Sequence, residues 1–495
     1  MAYGSETWAA LVLASLSMHC AADGEPSCED LEPGACPETD VPIGGTEEGL
    51  SQPAWWGRHL LEVEGIVVGE GGSVEARAAS LGARCRGARC YALRGASVTL
   101  EAIPDEGRRF SHWSGCSDGT EATLTLRHLQ ASTTCSAHFA IPARLDLLHS
   151  GGDATTRALD VSDDGNVVAG VHQDAQGTAA FRWTPTEGMS LLPGAQGTAA
   201  GVSPDGRYVV GSVSAPDNES GRAAAVWQLG AEPRVIVGTQ PIFGASGPRA
   251  WFVNATGARN DGRLFVTCLQ YGAYGQPIGC QRDATGYATF ERLSYIHDGD
   301  DAGTLAGSVF LGSRGQQGPY ASAAYFAGAQ LPYPSSGFCS VSDPCESTVT
   351  AFSTSQPPVV VGTARVPPPG TITGSPRFST AFTYTGESGT VRLPDLAGGL
   401  DESGANAISG DGRLIAGFGT ADRGQVAVVW VDGTPIPLET LLRDAGTQQA
   451  PDVSLLVVTS MSPDGRAYVG DATTREGVRA YRVVLPSAPG AGGSP

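Results

Sequence analysis

Four carboxylates stand at one repeated position. Asp164, Asp205, Asp411 and Asp464 each close a Ser-x-Asp-Gly phrase. Acids repeated in this way could serve as bases or oxygen ligands if the copies converged. The simpler reading is local, because an Asp before Gly bonds its own turn through backbone N–H groups further on. A denser cluster, His297-Asp-Gly-Asp-Asp301, offers oxygen ligands for Ca²⁺. It lacks the D-x-D-x-D-G spacing, with Ala302 where a third acid should stand, and it falls where other copies carry their Asp-Gly turn. Motifs that name a reaction are missing: there is no H-E-x-x-H, no P-loop and no G-x-S-x-G elbow. Between 141 and 486 only His149, His172 and His297 occur, none with a second His at ligand spacing. Gly69-Glu-Gly-Gly72 is a turn and not a phosphate cradle, since no helix follows it. The expectation is therefore no catalytic residue, no cofactor and no metal.

The remaining side chains suited to contact are aromatic. Trp251, Phe252, Tyr271, Tyr274 and Tyr333 lie in long, Gly-rich stretches between recognisable repeats. Aromatics on such loops stack on a sugar or a partner protein, or pack beneath their own loops.

The elements that position these residues come from the repeat. The phrase reads Val161-Ser-Asp-Asp-Gly-Asn-Val-Val-Ala-Gly170 and Val202-Ser-Pro-Asp-Gly-Arg-Tyr-Val-Val-Gly211. It returns at Ile408–Gly417 and Met461–Gly470. Each copy is a strand, an Asp-Gly turn whose central residues can take positive φ, and a second strand ending in Gly. A third and a fourth strand follow, as in Ala179–Trp183 and Met189–Leu192. The terminal Gly permits close approach of another backbone. Weaker copies in the middle run from Asn260 to Tyr287–Phe290, from Asp301 to Ala323–Phe326 and from Pro358 to Thr380–Tyr384. A hairpin unit of this size cannot bury both its faces, so copies must stack. Seven units spaced by about 40 to 55 residues suit four-stranded propeller blades. The seventh ends after its third strand, and Arg144–Leu148, just ahead of the first unit, reads as the missing fourth. Joining them would seal a ring and remove two sheet edges. The expected fold is all-β: a seven-bladed β-propeller over 141–486 closed by its N-terminal strand, with a small N-terminal β domain. Six or eight blades fit if the degenerate middle units divide differently.

Ala180-Phe-Arg-Trp183 and its variants Ala-Val-Trp, Ala-Phe-Thr-Tyr and Val-Val-Trp follow the V-V-G strands. In this the units resemble the HAF-type extracellular repeat, which implies an exported propeller and no established chemistry. The Ser-Pro-Asp-Gly turns are also similar to those of periplasmic Tol-type propellers, which implies protein–protein contact.

Residues 61–140 carry a different order: Ser97-Val-Thr-Leu-Glu-Ala102, Pro104 and Gly107, Phe110-Ser-His-Trp113-Ser-Gly-Cys116, then Cys135-Ser-Ala-His-Phe139. This resembles the bacterial repeat related to internalin B-repeats, which implies a spacer or adhesion module of surface proteins. Trp113 reads as core; His112 and His138 read as turn or surface residues.

Net charge is −20, and ten acids from Glu6 to Glu48 precede the first basic residue, Arg58. Residues 23–60 thus read as a solvated tether, with Trp55-Trp56 as a packing anchor near its end. The acidic balance disfavours nucleic acid and anionic membrane as main partners. Trp8–Leu16 is an apolar run too short to span a bilayer and fits the core of a signal peptide over 1–22. It ends near Cys20, the lipidation candidate, or is cleaved after Ala22. Residues 487–495 read as a disordered tail. The other ten cysteines form neighbouring pairs, read as disulfides: Cys28 with Cys36, Cys85 with Cys90, Cys116 with Cys135, Cys268 with Cys280, and Cys339 with Cys345. The expected protein is a monomeric, extracellular or envelope-bound interaction protein for a protein or glycan ligand, with a lipid anchor as its only membrane contact. A polysaccharide lyase or glycosidase and a structural spacer are the alternatives.

Overall fold

The computed structural model describes residues 60–490, apart from 150–153, 217–220, 230–233, 237–238, 242–248, 271–276, 283–287, 291–292, 301–303, 312–320, 332–345, 367–377 and 448–449. The protein is all-β, built of many small antiparallel sheets with one helix among the described residues, Leu438–Asp444, which the sequence reading did not anticipate. Leu438 and Leu442, one turn apart on that helix, are buried, which gives it its place.

The described residues divide into two compact units. In the smaller, made of 60–64, 76–99 and 125–133, the hairpin Ala83–Arg86 with Arg89–Leu93 carries the Cys85–Cys90 disulfide, and Leu60–Glu64 pairs with the hairpin's second strand. The β domain expected over 61–140 contributes to both units. Its share of the larger one includes the strand Arg109–Ser114, paired with Ser136–Ala140, and the Cys116–Cys135 disulfide. Trp113 is fully buried and donates its indole N–H to Glu121 O at 3.0 Å, as a core residue should. His112 and His138 are not turn residues. They face each other across the strand pair, rings stacked with centroids 4.3 Å apart, and Ser114 Oγ lies 2.8 Å from His138 Nε2.

The rest of the larger unit is a succession of seven sheets from 144 to 484. Sheet one is Thr155–Val161, Val168–Asp174, Gly177–Thr184 and Gly188–Leu191. Sheets two, four, five and six repeat that up-and-down order with first strands Thr198–Val202, Tyr295–Gly299, Glu346–Phe352 and Ser403–Ile408. Sheet three has five strands, with Thr239–Pro241 added outside Arg249–Ala258. In it Ala288–Phe290 is the last strand, not the third as expected from sequence; Pro277–Arg282 takes the third place. The seventh sheet, Ser454–Met461, Ala467–Thr474 and Gly477–Val484, receives Arg144–Leu148 as its fourth strand, in the register Ala480↔Leu148 to Val484↔Arg144.

Seven apolar clusters join each sheet to the next. Val167 and Ala180 of sheet one meet Val209 and Trp227 of sheet two, and Ala416 of sheet six meets Leu455 of sheet seven. The circuit closes where Leu148, Val469 and Ala480 of the seventh sheet pack on Ala158 and Phe181 of the first. The other four seams are built in the same way.

One local device recurs in all seven. Each first strand carries a β-bulge at the same place, at Leu159, Ala200, Thr256, His297, Thr350, Asn406 and Thr459. A bulge bends the strand and re-aims its groups. It presses a first-strand carbonyl onto the second strand, where a Cβ would collide with it. Glycine stands there in six sheets: Gly170, Gly211, Gly307, Gly362, Gly417 and Gly470 face the carbonyls of Arg157, Thr198, Tyr295, Thr348, Gly404 and Val457. Sheet three has Val266 instead, and its first strand makes a second bulge between Phe252 and Asn254. The glycine of the V-V-G phrase is thus a close-approach residue.

The turns between first and second strands are four-residue turns. Gly165 N–H bonds Ser162 O, and the same bond recurs at Gly206, Gly412 and Gly465. Only the glycine takes positive φ, +70° to +80° in these four; the Asp before it does not, contrary to the two-residue hairpin expected from sequence.

Candidate functional site

The Ser-x-Asp-Gly carboxylates do not converge on a site. Asp164 accepts the Ser162 hydroxyl at 2.6 Å and the Asn166 N–H at 2.9 Å, while Ser162 Oγ accepts Val167 N–H. Asp205, Asp411 and Asp464 repeat this with Ser203, Ser409 and Ser462. The Ser409 hydroxyl foremost, against a smaller opposing effect of burial, holds Asp411 below the usual carboxylate range. These acids are turn locks, as their local spacing suggested.

The concave feature of the ring is a cavity of about 640 Å³ walled by the first strands. The seven bulges place their residues on its wall, and the turn residues Asp163, Pro204, Asn260, Asp300, Thr354 and Pro463 line it further along. The wall is tied sheet to sheet. Thr256 Oγ1 donates to Ile296 O at 2.8 Å, Thr350 Oγ1 to Ala405 O at 2.7 Å, Asn406 Nδ2 to Val458 O at 2.8 Å and Thr459 Oγ1 to Ala158 O at 2.9 Å. In each case the bulge side chain reaches the carbonyl just before the next sheet's bulge. Replacing Thr459 by Val keeps the shape and strands Ala158 O. We expect a loss of about 1–2 kcal/mol in chemical denaturation, with the fold retained.

After two bulge residues that make no such bond, Leu159 and His297, the next residue makes the tie. After Leu159, Asp160 accepts Val202 N–H of sheet two at 2.7 Å and the Ser460 hydroxyl of sheet seven at 2.7 Å, so one carboxylate joins three sheets. After His297, Asp298 accepts Phe352 N–H of sheet five at 3.2 Å and Gly299 N–H at 2.7 Å. Sheet two has Ala200 and Gly201 in these positions and neither tie. Its seam is made at the turn, where Asn260 Oδ1 accepts Asp205 N–H at 2.9 Å.

Burial pushes both carboxyls up to about 6, outweighing the bonds they accept. Asp163 adds repulsion at Asp160; Asp160 itself and Asp300 add it at Asp298. His297, on the cavity wall, has its pKa lowered by desolvation among the surrounding strands. Sequence spacing missed Asp160 and Asp298 as a pair, because they lie 138 positions apart and only the closed ring brings them to one cavity. The signal present in the sequence was an acid near the end of a first strand, in Leu159-Asp160 and His297-Asp298.

Of the aromatics expected to contact a ligand, Phe252 is 3 % exposed, packed among Val210, Val226 and Val266, with the Arg282 guanidinium 5.6 Å from its ring centre. It is a core residue, buried because the bulged strand turns it into the seam between sheets two and three. Trp251 lies in the strand Arg249–Ala258. Tyr271, Tyr274 and Tyr333 fall outside the described residues, as do Cys20, Cys28, Cys36, Cys339, Cys345, Trp55 and Trp56. Cys268 and Cys280 are bonded within sheet three. Of the acidic cluster 297–301, Asp300 accepts Thr304 N–H at 2.7 Å, a turn bond, and Asp301 lies outside the described residues. Among the described residues no group of three or more His, Cys, Asp or Glu is arranged to hold a metal ion.

Comparison with known proteins places one part of the chain. Residues 67–142 match the family described as a divergent InlB B-repeat domain. That agrees with the resemblance read from the Phe110–Cys116 and Cys135–Phe139 motifs, and it points to a surface protein. No curated protein matches the chain. Among solved structures, the oligogalacturonate lyase of Vibrio parahaemolyticus is similar over 70 % of this chain and 97 % of its own, at 10 % identity and a TM-score of 0.41. The described disulfides are consistent with an oxidising, extracellular setting, and no helix among the described residues is long and apolar enough to cross a membrane.

Proposed function

We propose that this chain is an exported, non-catalytic binding protein of the cell surface. In this reading the seven sheets are the blades of a closed β-propeller of HAF-repeat type, the B-repeat module is its spacer, and the cavity walled by the bulges seats the ligand. The observation that carries the reading is the cavity's construction. Seven strands turn one residue each into a common space, and four of those residues tie one sheet to the next. A pit held so rigidly binds without the entropy of ordering its own wall. It also keeps two half-buried carboxyls with raised pKa, and such costly groups gather at functional sites. Its polar lining of hydroxyl, amide, imidazole and carboxyl groups suits a glycan or the polar side chains of a protein ligand.

The second reading, a polysaccharide lyase or glycosidase, is favoured by the meeting of Asp160, Asp298 and His297 in one cavity. The first stands ahead of it because each carboxylate already accepts bonds from the protein on both its oxygens. The test is a panel of surface polysaccharides against the whole chain, recording binding and new sugar ends in the same wells. Binding without new ends is expected. New ends, lost in Asp160→Asn or Asp298→Asn, would overturn the non-catalytic reading.

A further inference from the structure

Asp160 and Asp298 combine three features: a half-buried place on one cavity wall, no guanidinium or ammonium within bonding distance, and a position at a seam. Neither has a cationic bonding partner. Asp160 faces the Ser460 hydroxyl from sheet seven, the Val202 N–H from sheet two and Asp163 from its own turn. Asp298 faces the Phe352 N–H from sheet five, the Gly299 N–H and Asp300 from its own strand and turn, and Asp160 through space. The other charged or titratable groups on the cavity wall are Arg259, which lies 3.7 Å from Asp261, and His297, whose pKa is depressed. A carboxylate in such a place prefers its neutral form, and a second one in the same cavity strengthens that preference.

We propose that the cavity is a proton-operated charge switch: Asp160 and Asp298 take up protons together on mild acidification, removing two negative charges from the ring's interior while its seams stay closed. The seams survive because of who bonds whom. Ser460 can reverse its hydroxyl, accepting a hydrogen bond from protonated Asp160 where it had donated one to the carboxylate. The Val202, Gly299 and Phe352 amides still find lone pairs on a neutral carboxyl, though weaker ones. The switch rests on the cavity's geometry and holds whether or not the pit takes a ligand.

The sign follows from linkage. Both folded pKa values, about 6, lie above the ordinary Asp value. At these two groups the folded chain therefore holds protons that the unfolded chain has released, and their contribution to stability rises as pH falls through about 6 towards about 4; His297 and His138, whose pKa values are lowered, oppose that rise. Asp471, buried and also pushed up to about 6, adds a third proton away from the cavity. Acids held below their ordinary value, such as Asp174 and Asp411, lose their contribution only at lower pH.

The test is the unfolding of the whole chain by urea at pH values from about 7.5 to about 4.5, with Asp160→Asn, Asp298→Asn and the double variant. The slope of stability against pH counts protons. We expect the double variant to take up about two fewer protons on folding near pH 5 than the parent, each single variant lying between them. Infrared difference spectra of the folded chain between the two pH limits read the same event without unfolding. A protonated-carboxyl band should appear in the parent and shrink in each variant that folds. A band and a slope that the substitutions leave unchanged overturn the proposal. Neither readout involves a ligand, so its failure is separate from failure of the binding assay.

Discussion

Replacing Gly470 by Ala should destabilise the ring by about 3 kcal/mol or more, among the largest effects of any single methyl group in this chain. The added Cβ would fall on the carbonyl oxygen of Val457, a backbone atom held by the bulge at Thr459. Relief would require the bulge to flatten. That would withdraw Thr459 from Ala158 O and Ser460 from Asp160, at the seam where the chain's last sheet meets its first. Gly386→Ala is the control, since nothing lies within 4 Å of its Cβ position and its φ is not left-handed; it should change stability by less than about 0.5 kcal/mol. Urea midpoints of the two variants and the parent check both statements.

The second large effect is expected at Arg482. Its side chain is 5 % exposed and lies 5.4 Å from the Trp183 ring centre. It donates to Gly165 O at 2.5 Å, Asn166 Oδ1 at 3.0 Å and Asp146 Oδ2 at 3.1 Å. One guanidinium thus joins the seventh sheet, its closing strand and the first turn of sheet one. Arg482→Met keeps much of the apolar stem and removes all three bonds, leaving Gly165 O and Asn166 Oδ1 without their donor. Asp146 keeps Arg144 at 2.7 Å, which limits the damage. We expect a loss of about 2–4 kcal/mol. Arg413→Met, at an exposed pair with Asp432, should change little. Equal effects at the two sites would deny the closing seam its special weight.

Much of this architecture was legible in the chain, for physical reasons. The strand–turn–strand phrase announces itself because three demands coincide in ten residues: apolar pleats, a Ser-Asp lock and two obligatory glycines. The closing strand was legible by subtraction, since Arg144–Leu148 has no partner before it and the seventh unit lacks a fourth strand. Sheet three was misread. Its V-V-G phrase is replaced by Phe265-Val-Thr267 and a second bulge, so its third strand, Pro277–Arg282, carried no aromatic marker and Ala288–Phe290 took its place in the reading. The helix Leu438–Asp444 was missed because a seven-residue segment with two buried leucines leaves too short a period to recognise.

The site was less legible than the fold. Asp160 and Asp298 sit at equal places in two repeats, but five other repeats put Gly, Ala or Ser there: Gly201, Gly257, Ala351, Ala407 and Ser460. Nothing in a one-dimensional comparison gives two such acids a common cavity. The acids that do repeat, at 164, 205, 411 and 464, are turn locks. Phe252 drew attention as a loop aromatic and belongs to the core, because a bulge decides which face a strand residue takes, and a bulge leaves little mark in sequence.

The most direct measurement is binding by a chain whose cavity is filled. Ala200 is the bulge residue of sheet two, on the cavity wall, with no polar side chain to tie it to a neighbouring sheet. Ala200→Trp would occupy the pit while leaving the outer surfaces and the B-repeat module untouched. Whichever polysaccharide or protein the parent binds best should lose most of its affinity for this variant, with circular dichroism unchanged. Undiminished binding by a folded Ala200→Trp chain would contradict the account and move the ligand to another surface.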